Sequence, residues 1–383
     1  MADGSLRPTS SPLSPLLFDD DRFEELCSAT NAQRCFQCGT CTATCPIAEV
    51  SPFRVRKMIR LAQYGVRDEG AWRCTTCAEC NVSCPRGVDI VGVVRHLRAR
   101  GWKERRLPAG LSALMWGIYS DGNPFRLPPG QRAGWLKGLD IPGKGETVLY
   151  VGCASSYDPR AQKIARAVAQ LLYRAGVDFK VLGENEVCCG ETPRALGVDG
   201  LFDDLQEKNT EMFRKEGARR VITISPHCFD ALRAGQRQEG AVEVLHYSQA
   251  LETLVDDGKL RLERRPLRAT YHDPCYLGRV NGVYEQPRKL LELAGATLEE
   301  MPRARAGARC CGGGGGRMWM ETPAEERIAD GRVLEARATG AEVLATTCPY
   351  CISCFEDSAK TKAQSMRVAD VSEILLAATG KGV

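Results

Sequence analysis

The sequence predicts a multi-domain α+β chain in which a helical, cysteine-bearing domain precedes two tandem α/β units. Three observations predict it. Two cysteine runs of one spacing lie between residues 35 and 85. From residue 146 short apolar strands alternate with helical stretches, the texture of parallel βαβ units. The cysteines of this second half also recur. Cys153 and Cys275 are 122 residues apart, as are Cys188 and Cys310, and Cys189 and Cys311. Ser225 and Cys348 are 123 apart, as are Cys228 and Cys351. One Rossmann-like α/β unit is therefore read as duplicated.

A chain of 383 residues holds two or three domains, and a hydrophobic fraction of 43% allows an ordinary core. Lys plus Arg (52) nearly balances Asp plus Glu (48), and the net charge of +4 does not suggest a nucleic-acid partner. The 19 cysteines are the outlier. Disulfide frameworks belong to small secreted domains. This chain is large, and its start, MADGSLRPTSSP, lacks the apolar stretch of a secretory signal. The reading is a reducing, cytoplasmic compartment with most cysteines as metal ligands. The best apolar run, 110–119, is about half of a bilayer span. Membrane contact, at the inner face, would come through a partner.

Residues 1–17, rich in Ser and Pro, are read as a disordered terminus. Residues 18–105 form the first domain, beginning with a short helix over 18–34. Within it Val55, Met58, Ile59 and Ala62 have helical spacing. Residues 106–145, with five prolines across 101–145, are read as a linker with little regular structure. The first α/β unit takes 146–265, with strands in TVLYVG, DFKVL and VITIS and a helix over 158–175. The second takes 266–383, with strands in RATYHD, ATLEEM and AEVLATT and helices over 286–294 and 324–339.

The first cysteine run is Cys35-x2-Cys38-x2-Cys41-x3-Cys45-Pro46, and the second is Cys74-x2-Cys77-x2-Cys80-x3-Cys84-Pro85. This is the bacterial ferredoxin spacing for two [4Fe–4S] cubanes. Three cysteines wrap one cube and the fourth reaches the other. One cluster is assigned to Cys35, Cys38, Cys41 and Cys84, and the other to Cys74, Cys77, Cys80 and Cys45. Paired zinc ribbons need two CxxC pairs per ion, without a third x2 step or a following Pro.

The second copy of the α/β unit brings Cys275, the adjacent pair Cys310 and Cys311, and Cys348 with Cys351. Neighbouring side chains do not both reach corners of an ordinary cube without strain, so one sulfur is read as bridging irons in an opened cluster. Glycines 312–316 free the backbone for close approach. Cys153, Ser225, Cys275 and Cys348 each follow a predicted strand, so the cysteines of each copy should meet at the carboxyl edge of their sheet.

The pattern Cys-x(31–39)-Cys-Cys-Gly-x(35–37)-Cys-x2-Cys resembles the cysteine-rich CCG domain of heterodisulfide reductases. A ferredoxin region followed by two CCG copies resembles the D-type chain of that family, a fusion of the C and B types. WRCTTCAECNVSCPRGVDI is similar to the C-type part, and YHDPCYLGR and CCGGGGGRMWME to the cysteine-rich part. Relatives include iron–sulfur subunits of glycolate, glycerol-3-phosphate and electron-transfer-flavoprotein oxidoreductases. The resemblance implies that Cys275, Cys310, Cys311, Cys348 and Cys351 hold a catalytic, noncubane [4Fe–4S] cluster that reductively cleaves a disulfide. It implies an anaerobic oxidoreductase subunit with flavoprotein or membrane cytochrome b partners. The alternative is a subunit linking a flavin dehydrogenase to quinone. No G-x-G-x-x-G fingerprint follows a strand, so flavin or NAD would belong to another subunit.

The first copy departs from the pattern, for Ser225-Pro226-His227-Cys228 replaces one expected cysteine by serine. Cys153, Cys188, Cys189 and Cys228 remain. A four-thiolate cluster, a substitute ligand in Ser225 or His227, and an empty site kept for packing all stay open. His272, three residues before Cys275, is weighed as a proton donor against a strand-end histidine satisfied by backbone. Arg317 and Trp319 are weighed as contacts for an anionic substrate or a partner against simple packing. Cys354 and Cys27 are read as structural. The basic stretch 95–106 and the apolar 110–119 are weighed as a docking face against a solvated helix.

Overall fold

The computed structural model describes residues 20–236, 242–362 and 366–380. The expected disordered terminus, 1–17, lies outside the described residues.

Eight parallel strands make two four-stranded sheets. The first holds β1 (Thr147–Tyr150), β2 (Phe179–Val181), β3 (Arg220–Thr223) and β4 (Glu243–His246), in the order β2-β1-β3-β4. The second holds β5 (Leu267–Tyr271), β6 (Ala296–Leu298), β7 (Val343–Thr346) and β8 (Arg367–Asp370), in the order β6-β5-β7-β8. The shared order is the structural signature of the duplication. Strands this short and apolar, as in the fully buried VLAT of β7, suit a sheet covered on both faces. In each sheet the chain reverses direction beside its first strand. That leaves a crevice at the carboxyl ends of β1 and β3, and of β5 and β7.

The two units share one apolar core. Leu149, Ile164, Val168 and Leu172 of the first pack in one cluster with Leu344, Phe355, Val371 and Leu375 of the second. The helix Gln162–Arg174 lies against Val371–Ala378. Arg160 fastens this seam with a forked pair to Glu373 (3.0 and 2.8 Å) and a bond to Glu356 (2.5 Å).

The amino-terminal domain is helical, as expected, and opens with the helix Asp20–Thr30. Val55, Met58, Ile59 and Ala62 are buried on one face of the helix Val55–Gln63. They pack with Ile47, Phe53, Ile90, Val93 and Val94 around the cysteine loops. The region 106–145 corrects the expectation of a plain linker, for it carries the helix Leu111–Asp121. Leu111, Leu114, Met115 and Ile118 bury that helix against Trp72, Cys153, Cys188 and Leu196. Apolar burial between domains overrides the prolines that flank the segment.

The interface also sets a pH dependence. Asp370 caps the helix Val371–Ala378, accepting from Ser372 (2.9 and 2.6 Å) and from Tyr247 of the first unit (2.6 Å). Burial pushes its carboxyl up to about 7, despite these donors. A folded-state value above the unfolded one means stability present at low pH and lost as pH rises from about 4 through about 7. Chemical denaturation at stepped pH is expected to show this fall, and Asp370→Asn to flatten it.

Candidate iron–sulfur sites

The two ferredoxin-type loops are folded alike. Each Cys-x2-Cys-x2-Cys turn passes through left-handed backbone, at Gln37 (φ 66°) and Gly39 (φ 88°) in the first and at Thr76 (φ 52°) and Ala78 (φ 61°) in the second. Three of the four are not glycine, so the turns carry backbone strain of the kind found at ligand clamps. Such turns aim amides inward. The amide of Thr76 lies 3.3 Å from the Cys74 sulfur, and that of Val88 lies 3.5 Å from Cys84.

Cys45, Cys74, Cys77 and Cys80 line one cavity walled by Ile47, Phe53, Val55, Met58 and Ile90. Cys41 has Cys35, Cys38 and Cys84 as its sulfur neighbours. Apolar walls make isolated thiolates costly. Cys45 is pushed up to about 12, first by burial and then by Cys74. Such thiols release their protons only to a cation that replaces them. A donor set of sulfurs alone, served by amides, suits iron–sulfur clusters and offers no carboxylate or imidazole to a harder metal.

In the second α/β unit the five cysteines converge beyond β5 and β7. Side-chain contacts run from Cys275 to Cys310, from Cys310 to Cys311, from Cys311 to Cys351, and from Cys351 to Cys348. The amide of Gly312 lies 3.4 Å from the Cys310 sulfur. Cys310 also touches Cys77 of the amino-terminal domain. In the first unit Cys153, Cys188, Cys189 and Cys228 make the matching chain of contacts, and the Gly190 amide lies 3.4 Å from Cys188. A Cβ at Gly152, where φ is 75°, would lie 2.9 Å from the Cys228 sulfur. Arg132, buried and paired with Glu186 at 3.1 Å, donates to Cys153 at 3.3 Å.

Ser225 is the residue that breaks the pattern, and its hydroxyl accepts from the His227 amide (3.3 Å) to cap the helix Pro226–Gly235. His227 lines its own unit's cavity and also reaches the second unit. It stacks on Tyr276 (4.2 Å) and Tyr350 (4.9 Å), faces Glu191 (3.3 Å) and touches Cys348. Tyr350 is its counterpart, 123 residues on, and lines the first unit's cavity. Each copy thus sends one ring into the other's site. Burial raises the Cys348 thiol, but bonds with Cys351 and His227 bring it down to about 5.

Residues 147–233 and 269–356 match the cysteine-rich domain, and residues 31–88 match the 4Fe-4S dicluster domain. Over 386 residues the chain is 30% identical to the D-type chain of the dihydromethanophenazine:CoB--CoM heterodisulfide reductase of Methanosarcina mazei, covering 90% of this chain and 93% of that protein. The chain belongs to the family of D-type heterodisulfide reductase chains. Its fold and motifs make it an iron–sulfur protein of oxidoreductase type. It is also 36% identical over 334 residues to the EtfAB:quinone oxidoreductase of Syntrophomonas wolfei. To the probable iron-sulfur-binding oxidoreductase FadF of Bacillus subtilis it is 38% identical over 332 residues. Those matches cover 81% of this chain but 46% of each relative, so the chain spans about half the length of both. Among the described residues no helix is long and apolar enough to cross a membrane.

In this heterodisulfide reductase homologue the side chains that the sequence left between alternatives are packed. His272 lies in the core, edge-on to Phe355 at 4.7 Å, and accepts from Arg332 at 3.2 Å. Burial and two arginines hold its imidazole well below the usual range, so it stays neutral and packed. Trp319 packs edge-on against Phe125 at 5.0 Å. Arg317 binds the Arg73 carbonyl (3.1 Å) and lines a cavity of about 180 Å³ that reaches Cys311, Gly312 and Cys354. Cys354 lies 3.7 Å from the Met318 sulfur, and Cys27 is buried.

The stretch 95–106 is solvated at 103–106 but not at Arg98. Arg98 is fully buried and binds the carbonyls of Ala71 (2.9 Å), Cys74 (2.6 Å), Ala195 (2.7 Å) and Gly315 (3.0 Å), one cation holding three domains. Arg279 binds the Cys77 carbonyl at 2.8 Å, and Tyr276 bonds Thr76 at 2.9 Å. Sequence carried no signal for these contacts, because the carbonyls that meet Arg98 lie up to 217 residues away. Arg98→Met is expected to destabilise the fold by about 3 kcal/mol in chemical denaturation, since it strands buried carbonyls and removes charged donors.

Proposed function

We propose that this chain is the electron-relay subunit of an oxidoreductase complex whose second cysteine-rich unit reduces a disulfide. The observation that carries the reading is the packing of Cys77 with Cys275 and Cys310 in one buried cluster. A ligand-bearing loop of the ferredoxin-type domain there meets the five-cysteine site with no intervening chain. We assign one cubane to Cys35, Cys38, Cys41 and Cys84, another to Cys74, Cys77, Cys80 and Cys45, and a noncubane cluster to Cys275, Cys310, Cys311, Cys348 and Cys351. Bound there, such clusters would supply one-electron transfer and, at the last site, the electrons that cleave a sulfur–sulfur bond. Reducing a disulfide to two thiols takes two electrons and two protons, with the electrons delivered by a partner.

The chain's own residues define the rest. Arg98, Arg279 and Tyr276 fix the Cys74–Cys77 turn against the second unit. The cavity beside Cys311, lined by Arg317, Met318, Arg327 and Cys354, gives a small thiol or disulfide a way in. His227 offers an N–H to Cys348, oriented by Glu191. A hydrogen bond to a ligating sulfur favours the electron-rich state. His227→Phe is therefore expected to lower the reduction potential at the second unit in a spectroscopic redox titration, while the ferredoxin-type signals keep theirs. Equal shifts in all signals would instead mean general damage.

The first unit keeps four thiols, a guanidinium on Cys153 and a serine spent on capping. We read it as a supporting site that carries no disulfide chemistry. A second reading, a relay from a flavoprotein to quinone, is favoured by the 36% identity to the EtfAB:quinone oxidoreductase. Anaerobic purification with iron counting and EPR separates the two. Twelve or more irons, roughly four per cluster, are expected, with a new paramagnetic signal when thiol meets oxidised protein. Cys275→Ala should lose about four irons and that signal while both cubane signals persist. A full iron count with no response to any thiol would favour the quinone-linked relay.

A further inference from the structure

Of the nineteen cysteines Cys38 alone is exposed. Its counterpart in the second turn, Cys77, is buried, whereas the flanking positions match, with Cys35 and Cys74 partly exposed and Cys41 and Cys80 buried. The two ferredoxin-type turns are built alike, so this difference comes from what covers them. The second turn is roofed by Tyr276, Arg279 and the glycine loop, and a Cβ at Gly315 would lie 2.3 Å from the Cys74 carbonyl. Nothing among the described residues roofs the first.

The uncovered face has a distinct chemistry. Phe36, between Cys35 and Cys38, is 61% exposed, and Val82, two residues before Cys84, is 56% exposed. The helices carrying Thr40–Ala43 and Glu79–Val82 pack together, which brings the two loops of this sulfur group side by side. Cations surround them. Arg34 adjoins Cys35, Arg86 follows Cys84, and Arg56 and Lys57 are exposed on the helix that packs against the first turn. The Arg56 side chain passes 3.8 Å from where a Cβ on Gly39 would stand. Among the described residues none of these four has an ion-pair partner, whereas Arg160, Arg194, Arg288 and Arg305 elsewhere all do.

We infer that this face, with Phe36 and Val82 at its centre and Arg34, Arg56, Lys57 and Arg86 at its rim, is the docking site of an acidic electron-carrier protein. The inference rests on the relay reading above and adds the port and the partner's charge. An apolar centre inside a charged rim is the anatomy of a protein interface. Four unpaired cations outweigh the charge of roughly −2 that a bound cubane would bring. Unpaired cations steer an anionic partner and leave a small apolar contact to set the register, which suits a brief encounter.

The test uses the holoprotein, purified anaerobically, and reduced flavodoxin as an acidic one-electron probe. The second-order rate of cluster reduction is followed by stopped flow across a salt series. Arg34→Glu, Arg56→Glu and Lys57→Glu together are expected to slow it about tenfold or more at low salt and to abolish its decline with salt. The radical cation of methyl viologen should reduce the same variant no more slowly than the wild type, because reversal favours a cation. Lys57→Glu alone, with full iron content, should show a smaller loss in the same direction. A flavodoxin rate untouched by reversal, or equal losses with both reductants, would overturn the inference. So would a rate that rises only when residues 1–17 are removed, since the face would then belong to the chain's own terminus. Wild-type protein without cubane signals would sink the relay reading itself, whereas normal signals with charge-independent rates would sink only the docking site.

Discussion

The guanidinium of Arg98 is the point on which the three domains depend. It is fully buried, its hydrogen bonds go to carbonyls, it lies over the Trp72 ring, and among the described residues it pairs with no carboxylate. A buried cation without a counter-ion is costly unless its donors are all met. Here carbonyls from the ferredoxin-type turn, from the first unit and from the glycine loop of the second supply that match. Desolvation still draws its affinity for the proton down to about 10, so it stays charged at neutral pH. Because a fixed fork accepts its carbonyls only in one arrangement, the domains cannot slide without stranding a charge. The same carbonyl of Cys74 that Arg98 holds is the one against which Gly315 closes.

Duplication gave two sites of similar plan with different fates. Both set cysteines at the carboxyl crevice of a parallel sheet, and both bring an amide to the first cysteine of the adjacent pair. The first copy has a helix-capping serine, Ser225, where the second has Cys348, and pairs Cys153 with a guanidinium. Its retained worth is physical. Without it the second unit would lose the first unit's share of the common core, the Arg160 and Tyr247 seam, and the His227 ring beside Cys348. A copy that has lost a cysteine can therefore remain indispensable to the copy that kept all five.

The cysteine spacing, the repeat at 122 and 123 residues, and most strands were legible because each is a local or periodic signal. β4 and β8 were not seen, since EVLH and RVAD are four-residue edge strands with polar or charged residues at both ends. The helix Leu111–Asp121 escaped because its apolar residues ring it. Leu111 and Ile118 are buried while Trp116 and Tyr119 stay exposed, so no polar face marked its period. Arg98 read as surface charge for a different reason. Charge counts describe the side chain, and the carbonyls that satisfy it come from segments that only folding assembles. The crossing of His227 into the second site was hidden the same way.

Burial then orders the relay. One ferredoxin-type turn is open to solvent and rimmed by cations, and the other is sealed under Tyr276 and Arg279 against the five-cysteine site. On the proposed reading a large carrier protein approaches the first, while a small molecule enters beside Cys311. In the middle group Cys77 and Cys80 are buried, while Cys45 and Cys74 are partly exposed. Such separation keeps the electron carrier and the small reactant from meeting directly, and it follows from the roof over Cys74 and Cys77 rather than from any difference in the turns. The roof is made of the residues that join the domains, and so on the proposed relay the interactions that hold the fold together would also direct electrons through it.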